Sequence, residues 1–339
     1  MTNKLKTVLQ SKYYKMQNKS LLERTLAKME KSQQKKKEIF EYMQKNKPYL
    51  LGSIFKSNRI KNCCNVLMFH DYLNGEQKLY KSNFCKYDKF CLACSTRRSI
   101  RMIQRFEQGI KENGLDKKNW YHITLTIRHR KEQKLKTVLE KLCRAKEKLA
   151  KSYRNSKRKI QKKKSFMYNF DGIVSSIEIT YNERNGWHPH IHILACTDKE
   201  LPIEKLQYSW GNKELQAERL KITKDSNQIS MRKVAVDGDN FDRKGIGEVF
   251  KYAVKFSTLD VPHLVDLIEL QHQKKYHFFS TYGIFRGWKL DKKMDNENND
   301  YIEKTMVYFN DEYNEVPNKE SNSYYKKGTS LNEVVMGIN

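Results

Sequence analysis

The sequence contains no run of about 18 uncharged apolar residues, the length a helix needs to cross a bilayer. Nor does an apolar stretch follow its basic N-terminus as a secretory signal would. Membrane insertion is thereby set aside, and a cytoplasmic protein is expected. Acidic residues are scarce, with 39 Asp and Glu against 67 Lys and Arg, a formal net charge of +28. Such an excess repels itself unless something anionic is near, so a polyanionic partner is expected. Composition alone does not separate DNA from RNA, or an enzyme from a passive binder. Seven cysteines in 339 residues are too few and too unevenly placed for a disulfide scaffold. There is no internal repeat, no helicase motif, and no phosphate-loop or dinucleotide-type glycine pattern. The hydrophobic fraction of 38% is low, yet the apolar and aromatic runs between about 60 and 285 are dense enough to bury a core.

Along the chain, residues 1 to about 50 read as basic helix, with Leu22, Leu26, Met29, Ile39, Phe40 and Met43 spaced by three and four until Pro48 ends the pattern. Five of the seven cysteines, Cys63, Cys64, Cys85, Cys91 and Cys94, fall within 32 residues. A helix follows, with Ser95 or Thr96 as its cap and Arg97, Arg98, Arg101 and Arg105 on neighbouring turns; that stripe suits phosphate contacts or a solvated face. Residues 120–127 alternate as a strand, with His122, Thr124 and Thr126 on one side. A long basic helical stretch at 131–168 carries an apolar stripe and ends in KRKIQKKK, where Lys157, Arg158, Lys159, Lys162, Lys163 and Lys164 suit non-specific tracking of a phosphate backbone. Strands resume at 173–180 and 190–196, a surface helical region is expected over 198–229, and a further strand at 230–236 precedes helices at about 245–257 and 261–274. From 289 onward the chain is polar and reads as a loosely ordered or peripheral tail.

Two features carry chemistry. On an extended strand, His190 and His192 of GWHPHIHILACTD point to one face and Ile191 and Ile193 to the other. Two imidazoles side by side on an apolar strand cost desolvation unless they share a divalent cation. His188, before Pro189, suits a positioning role. A carboxylate completes such a set for magnesium or manganese, and Glu178 in the preceding strand is the candidate; a solvated strand carboxylate is the alternative. In GIGEVFKYAVKFS, Val249, Phe250, Ala253, Val254 and Phe256 make an apolar side, and Glu248, Tyr252 and Lys255 a polar one. A phenol is a poor nucleophile until a cation helps, and Lys255 and a metal on the histidine face are both available. Glu248, one turn before Tyr252, is a candidate general base or simply an intrahelical partner.

YHITLTI at 121–127, GWHPHIHIL at 186–194 and EVFKYAVK at 248–255 occur in the order and spacing of the three motifs of rolling-circle replication initiators from small plasmids of Gram-positive bacteria. The chain resembles that family, the single-tyrosine type within the HUH (histidine, hydrophobic, histidine) endonucleases, over roughly residues 55 to 290. The resemblance implies an α+β fold: an antiparallel β-sheet flanked by helices, the two histidines on a central strand and the tyrosine on a helix beside it. Added to it here are basic helical segments and a cysteine-rich, zinc-type subdomain. With the residue patterns above, the chain is expected to divide into a basic helical N-terminal arm (1–55), a cysteine-bearing segment with an arginine-rich helix (56–118), a nuclease core (119–290) with a basic helical insertion (131–168), and a polar C-terminal tail (291–339), the insertion and tail being where the resemblance is weakest.

Carried onto this chain, it makes His190, His192 and Glu178 the ligands of Mg2+ or Mn2+, Tyr252 the nucleophile and Glu248 the terminating carboxylate. The family also has a cysteine-bearing segment before the first motif, which FCKYDKFCLACSTRRS matches. A structural zinc there takes Cys85, Cys91, Cys94 and one of Cys63 or Cys64, with Cys63 favoured by the family pattern. The implied activity is site-specific nicking of plasmid origin DNA, single-stranded or in a hairpin at the nick, through a 5′-phosphotyrosyl intermediate, with a 3′ hydroxyl as primer and later rejoining. Implied partners are a host helicase and DNA polymerase, and self-association is open. Other readings of the same residues are a transposase or relaxase with this chemistry, a metal-dependent hydrolase, and a non-catalytic nucleic-acid binder.

Overall fold

The computed structural model describes residues 30–54, 58–72, 77–88, 91–127, 129–158, 166–202, 229–236, 242–250, 259–289 and 301–308. The chain divides into two compact units, Met1–Ser95 with Asp295–Asn339, and Thr96–Met294. The surface helix expected within 198–229 lies mostly outside the described residues.

In the smaller unit, residues 30–46 form helix α1, followed by α2 (Pro48–Ile54) and α3 (Asn58–Lys61). Pro48 both stops α1 and opens α2, at the first helical position, where a missing N–H costs nothing. Ile39 and Met43 of α1 are buried, and Phe40 packs on the cysteine-lined core. Strands β1 (Val66–Tyr72) and β2 (Gln77–Ser82) pair antiparallel, and the strand Tyr301–Tyr308 pairs with the other edge of β1. This last strand falls within the span read as a loosely ordered polar tail. Strand pairing is satisfied by backbone groups, so a segment with few apolar residues still completes a sheet whose neighbour offers unpaired N–H and C=O groups.

The larger unit contains most of α4 (Leu92–Glu112), then β3 (Asn119–Thr126), α5 (Leu135–Lys157), β4 (Gly172–Asn182), β5 (Gly186–Thr197), β6 (Ile229–Val234), α6 (Arg243–Phe250), α7 (Val261–Gln273) and β7 (Phe279–Gly283). The sheet has five strands in the order β6-β3-β5-β4-β7, antiparallel throughout, so the histidine strand is central. The β4–β5 hairpin closes where the Asn182 side chain accepts a bond from Asn185 N at 2.8 Å. It then turns through Gly186 at φ 70°, where a Cβ would sit 2.2 Å from the Lys131 carbonyl oxygen.

Strand periodicity gives the sheet two different faces. On one, Ile123, Leu125, Ile173, Ile177, Ile179, Ile191 and Ile193 are buried. Helix α5 covers this face with its apolar stripe, Leu149, Ala150 and Tyr153 meeting Ile173, Ile191 and Ile193. The segment expected as an insertion is thus half of the sheet's packing. On the other face, Trp120, Val174, Leu194 and Cys196 pack with Met102, Phe106 and Ile110 of α4 and Ile246, Val249 and Phe250 of α6. Phe106 is the hub, its ring centroid 5.7 Å from Trp120, 4.9 Å from Phe250 and 5.3 Å from Phe285. Truncating it leaves a cavity between helix and sheet. Phe106→Ala is expected to lower stability by about 3–5 kcal/mol in chemical denaturation, and a loss under about 1 kcal/mol would show that this cluster does not hold α4 in place.

Candidate metal centre and cysteine cluster

The second face also carries the polar residues. Antiparallel register sets Glu178 of β4 directly opposite His190 of β5, and Ser176 opposite His192. From the other side, Thr126 of β3 faces His190 and Thr124 faces His192. Glu178 Oε2 lies 2.7 Å from His190 Nε2 and 2.8 Å from His192 Nε2. The three ligand atoms fall within 4.8 Å of one another.

Glu178 is 4% exposed and His192 7%. A carboxylate so deeply buried needs a compensating positive charge. The His192 Nδ1 atom sits 3.3 Å from Thr124 Oγ1, so the tautomer with a proton on Nδ1 donates to the hydroxyl and leaves Nε2 free for a metal. Two imidazole nitrogens and one carboxylate oxygen converging on one point fit a divalent cation.

Further imidazoles extend this row. His122 stacks on His192 at 5.4 Å, His188 lies 5.2 Å from His190, and His129 stacks on His188 at 5.1 Å. Burial pushes His122 down to about 4, aided by His192 and Arg232. His188 is likewise pushed down to about 4 by burial, with His190 and His129 adding to it. Both are therefore neutral near pH 7 and add no repulsive charge beside a cation. His122 and His129 were not singled out from the sequence; the available signal was that His122 shares a polar strand face with Thr124 and Thr126.

Glu248 lies half-buried on α6, the helix whose Ile246, Val249 and Phe250 pack on this face of the sheet, and its charge works against the burial effect on His122. Two hydrogen bonds anchor α6: Ser99 of α4 donates its hydroxyl to the Phe250 carbonyl, and Arg232 of β6 pairs with Asp242, just before the helix, at 2.9 Å. Tyr252 and Lys255 lie outside the described residues. Arg97, Arg98, Arg101 and Arg105 are all half-buried rather than fully solvated, with Arg105 bonded to Gln108 at 3.2 Å. Lys157 sits 4.7 Å above the Tyr168 ring, Arg158 is exposed, and Lys159, Lys162, Lys163 and Lys164 lie outside the described residues.

In the smaller unit, Cys63, Cys85, Cys91 and Cys94 are all buried, with their sulfurs within 4.8 Å of one another. Cys63 Sγ is 3.6 Å from Cys94 Sγ and 3.5 Å from Cys91 Sγ, and Cys85 Sγ is 3.5 Å from Cys94 Sγ. Backbone amides support the cluster: Cys85 N donates to Cys63 Sγ at 3.2 Å and Tyr87 N to Cys85 Sγ at 3.4 Å. Sharing hydrogen bonds with Cys63, Cys85 and Cys94 drives the Cys91 thiol down, while those shared with Cys63 and Cys91 help drive Cys85 up.

Cys64, in left-handed backbone at φ 60°, lies 3.6 Å from Cys63 Sγ, has the Ser82 side chain beside it, and stands outside the four-sulfur set. Spacing left Cys63 and Cys64 open because their distances along the chain to the other cysteines differ by a single residue. Elemental analysis of purified variants is expected to find the zinc content of Cys64→Ser equal to wild type and that of Cys63→Ser lowered by about one ion per chain. The reverse pattern would contradict this geometry.

The profile of the family described as "Replication protein" matches residues 76–330. A "Protein rep" of Lentilactobacillus hilgardii is 28% identical over 206 residues, 59% of this chain and 62% of that protein. One from Staphylococcus aureus is 30% identical over 154 residues, 44% of this chain and 61% of that protein. A third, from Bacillus amyloliquefaciens, is 27% identical over 225 residues, 59% of this chain and 60% of that protein. The chain thus aligns with about three fifths of each of these relatives. No solved structure matches significantly. The chain therefore belongs to the replication-protein family, the plasmid Rep initiators that its three motifs resemble.

Proposed function

We propose that this protein initiates rolling-circle replication by nicking one strand of plasmid origin DNA and later rejoining it. The observation that carries the reading is the convergence of His190, His192 and Glu178 on one point of a central strand pair. In it, His190, His192 and Glu178 hold Mg2+ or Mn2+, which when bound supplies positive charge to the scissile phosphate. Thr124 orients His192, and the neutral His122 and His188 pack beside the ligands without competing for protons.

Tyr252 is the nucleophile. Its phenol oxygen forms a bond to phosphorus, the bond from phosphorus to the 3′ oxygen breaks, the phenol gives up its proton, and the departing 3′ oxygen takes one. The ammonium of Lys255 offsets the charge that develops. The 5′ phosphate stays on the protein as a diester, so rejoining needs no nucleotide cofactor, and the 3′ hydroxyl primes a host polymerase behind a host helicase. Glu248 accepts the proton of the terminating nucleophile, a water or a 3′ hydroxyl.

A single-stranded or hairpin nick site avoids the cost of unpairing at the cut. The four thiols of Cys63, Cys85, Cys91 and Cys94 hold a structural zinc in this reading. Zinc–sulfur bonds of about 2.3 Å in a tetrahedron separate the sulfurs by about 3.8 Å, close to the 3.5 and 3.6 Å observed.

The test is incubation with 5′- and 3′-labelled single-stranded origin DNA and manganese, resolved on a denaturing gel beside Tyr252→Phe. The expected result is a protein-linked 5′-phosphoryl fragment that the substitution abolishes. Cleavage with no covalent adduct would instead make the protein a hydrolase.

A further inference from the structure

Helix α5 presents a second charged surface, on the side of the sheet away from the metal face. Its buried side is spoken for by Val138, Leu139, Leu142, Leu149 and Tyr153 against the sheet. Arg144, Lys151, Arg154 and Arg158 are exposed on the opposite side, and Lys148 is half-buried between them. At 1.5 Å per residue this ridge runs roughly 21 Å. From Arg144 to Arg158 the only acidic residue is Glu147. Glu140, one turn earlier, is bonded to Lys274 at 3.3 Å and Tyr276 at 3.4 Å, so its charge is matched by its own partner.

We propose that this ridge binds the phosphate backbone of duplex DNA, so that the protein holds a duplex on the back of its sheet while the cut strand occupies the metal face. Duplex binding by α5 stands on the charge pattern alone; only its pairing with a cut strand rests on the nicking reading. A straight, rigid row of cations suits a duplex, which carries one charge per about 1.7 Å of its axis, or about 12 phosphates over the ridge. A single strand is gripped instead through stacking on exposed aromatic rings. Among the described residues α5 itself offers none, since Tyr153, its one aromatic residue, is buried, and the half-buried Tyr168 ring beside its end is covered by Lys157. Contacts to phosphates from a helix flank give position without reading sequence, so the surface serves any duplex next to the origin.

The test measures binding of the full-length protein to a fluorescent duplex of about 20 base pairs lacking any nick site, across a salt series. The triple variant Lys148→Ala, Lys151→Ala, Arg154→Ala should bind at least about tenfold more weakly near 0.1 M salt, with the slope of log affinity against log salt reduced by about 2 to 3. Alanine suits these outward helical positions, and an unchanged melting temperature checks the fold. Glu147→Ala removes the ridge's one carboxylate and should tighten binding by about two- to fivefold. Unchanged affinity and slope in both variants would overturn the proposal. So would a loss confined to a single-stranded probe, or to vesicles containing anionic phosphatidylglycerol. Adduct formation on origin DNA, scored separately, reports on the nicking reading and does not bear on this one.

Discussion

The candidate site depends on the register of one antiparallel pair. Because β4 and β5 are joined by a tight turn at Asn182–Gly186, Glu178 is held opposite His190, and its carboxylate reaches His192 two residues along. A slip of one residue would turn the carboxylate into the isoleucine face and send an isoleucine towards the histidines. The space at Gly186 guards this register, since any side chain there would press on the backbone of residue 131. The centre is thus set by backbone pairing, which is rigid, and not by a loop.

The same pleat divides the labour between the two faces. Odd-numbered residues of the central strand, Ile191 and Ile193, join the apolar layer beneath α5. Even-numbered ones start as histidines and end as Leu194 and Cys196, packed under α4 and α6. One strand therefore anchors the core at one end and presents imidazoles at the other. Helix α6 is tied to the apolar half by Ile246, Val249 and Phe250, and held at either end by Arg232 and Ser99.

Much of this was legible because strands have a period of two. The pairing of His190 with His192, and the shared face of Glu178 with Val174 and Ser176, follow from alternation alone. Stacking of His122 on His192 needs the pairing partner of β3, which no local pattern supplies. Nor did spacing distinguish Cys63 from Cys64; only the packing that gathers Cys63 with Cys85, Cys91 and Cys94 does so. The strand Tyr301–Tyr308 sits in a polar stretch, and its pairing to β1 is a long-range backbone match invisible to composition. The basic stretch after β3 shows both its charge and its apolar stripe in the sequence, but not that the stripe covers one face of the sheet, which is a long-range match.

The central claim is that Glu178, His190 and His192 act together as one divalent-cation site. Calorimetric titration of Mn2+ into protein with zinc retained at the four cysteines and no metal at this site tests it, beside Glu178→Gln, which keeps the size of the side chain and removes its charge. The account predicts one binding event per chain in the wild type, weakened by about tenfold to a hundredfold in the variant. Equal binding by the two proteins would mean that the buried carboxylate only orients the histidines, and the metal centre would have to be sought elsewhere.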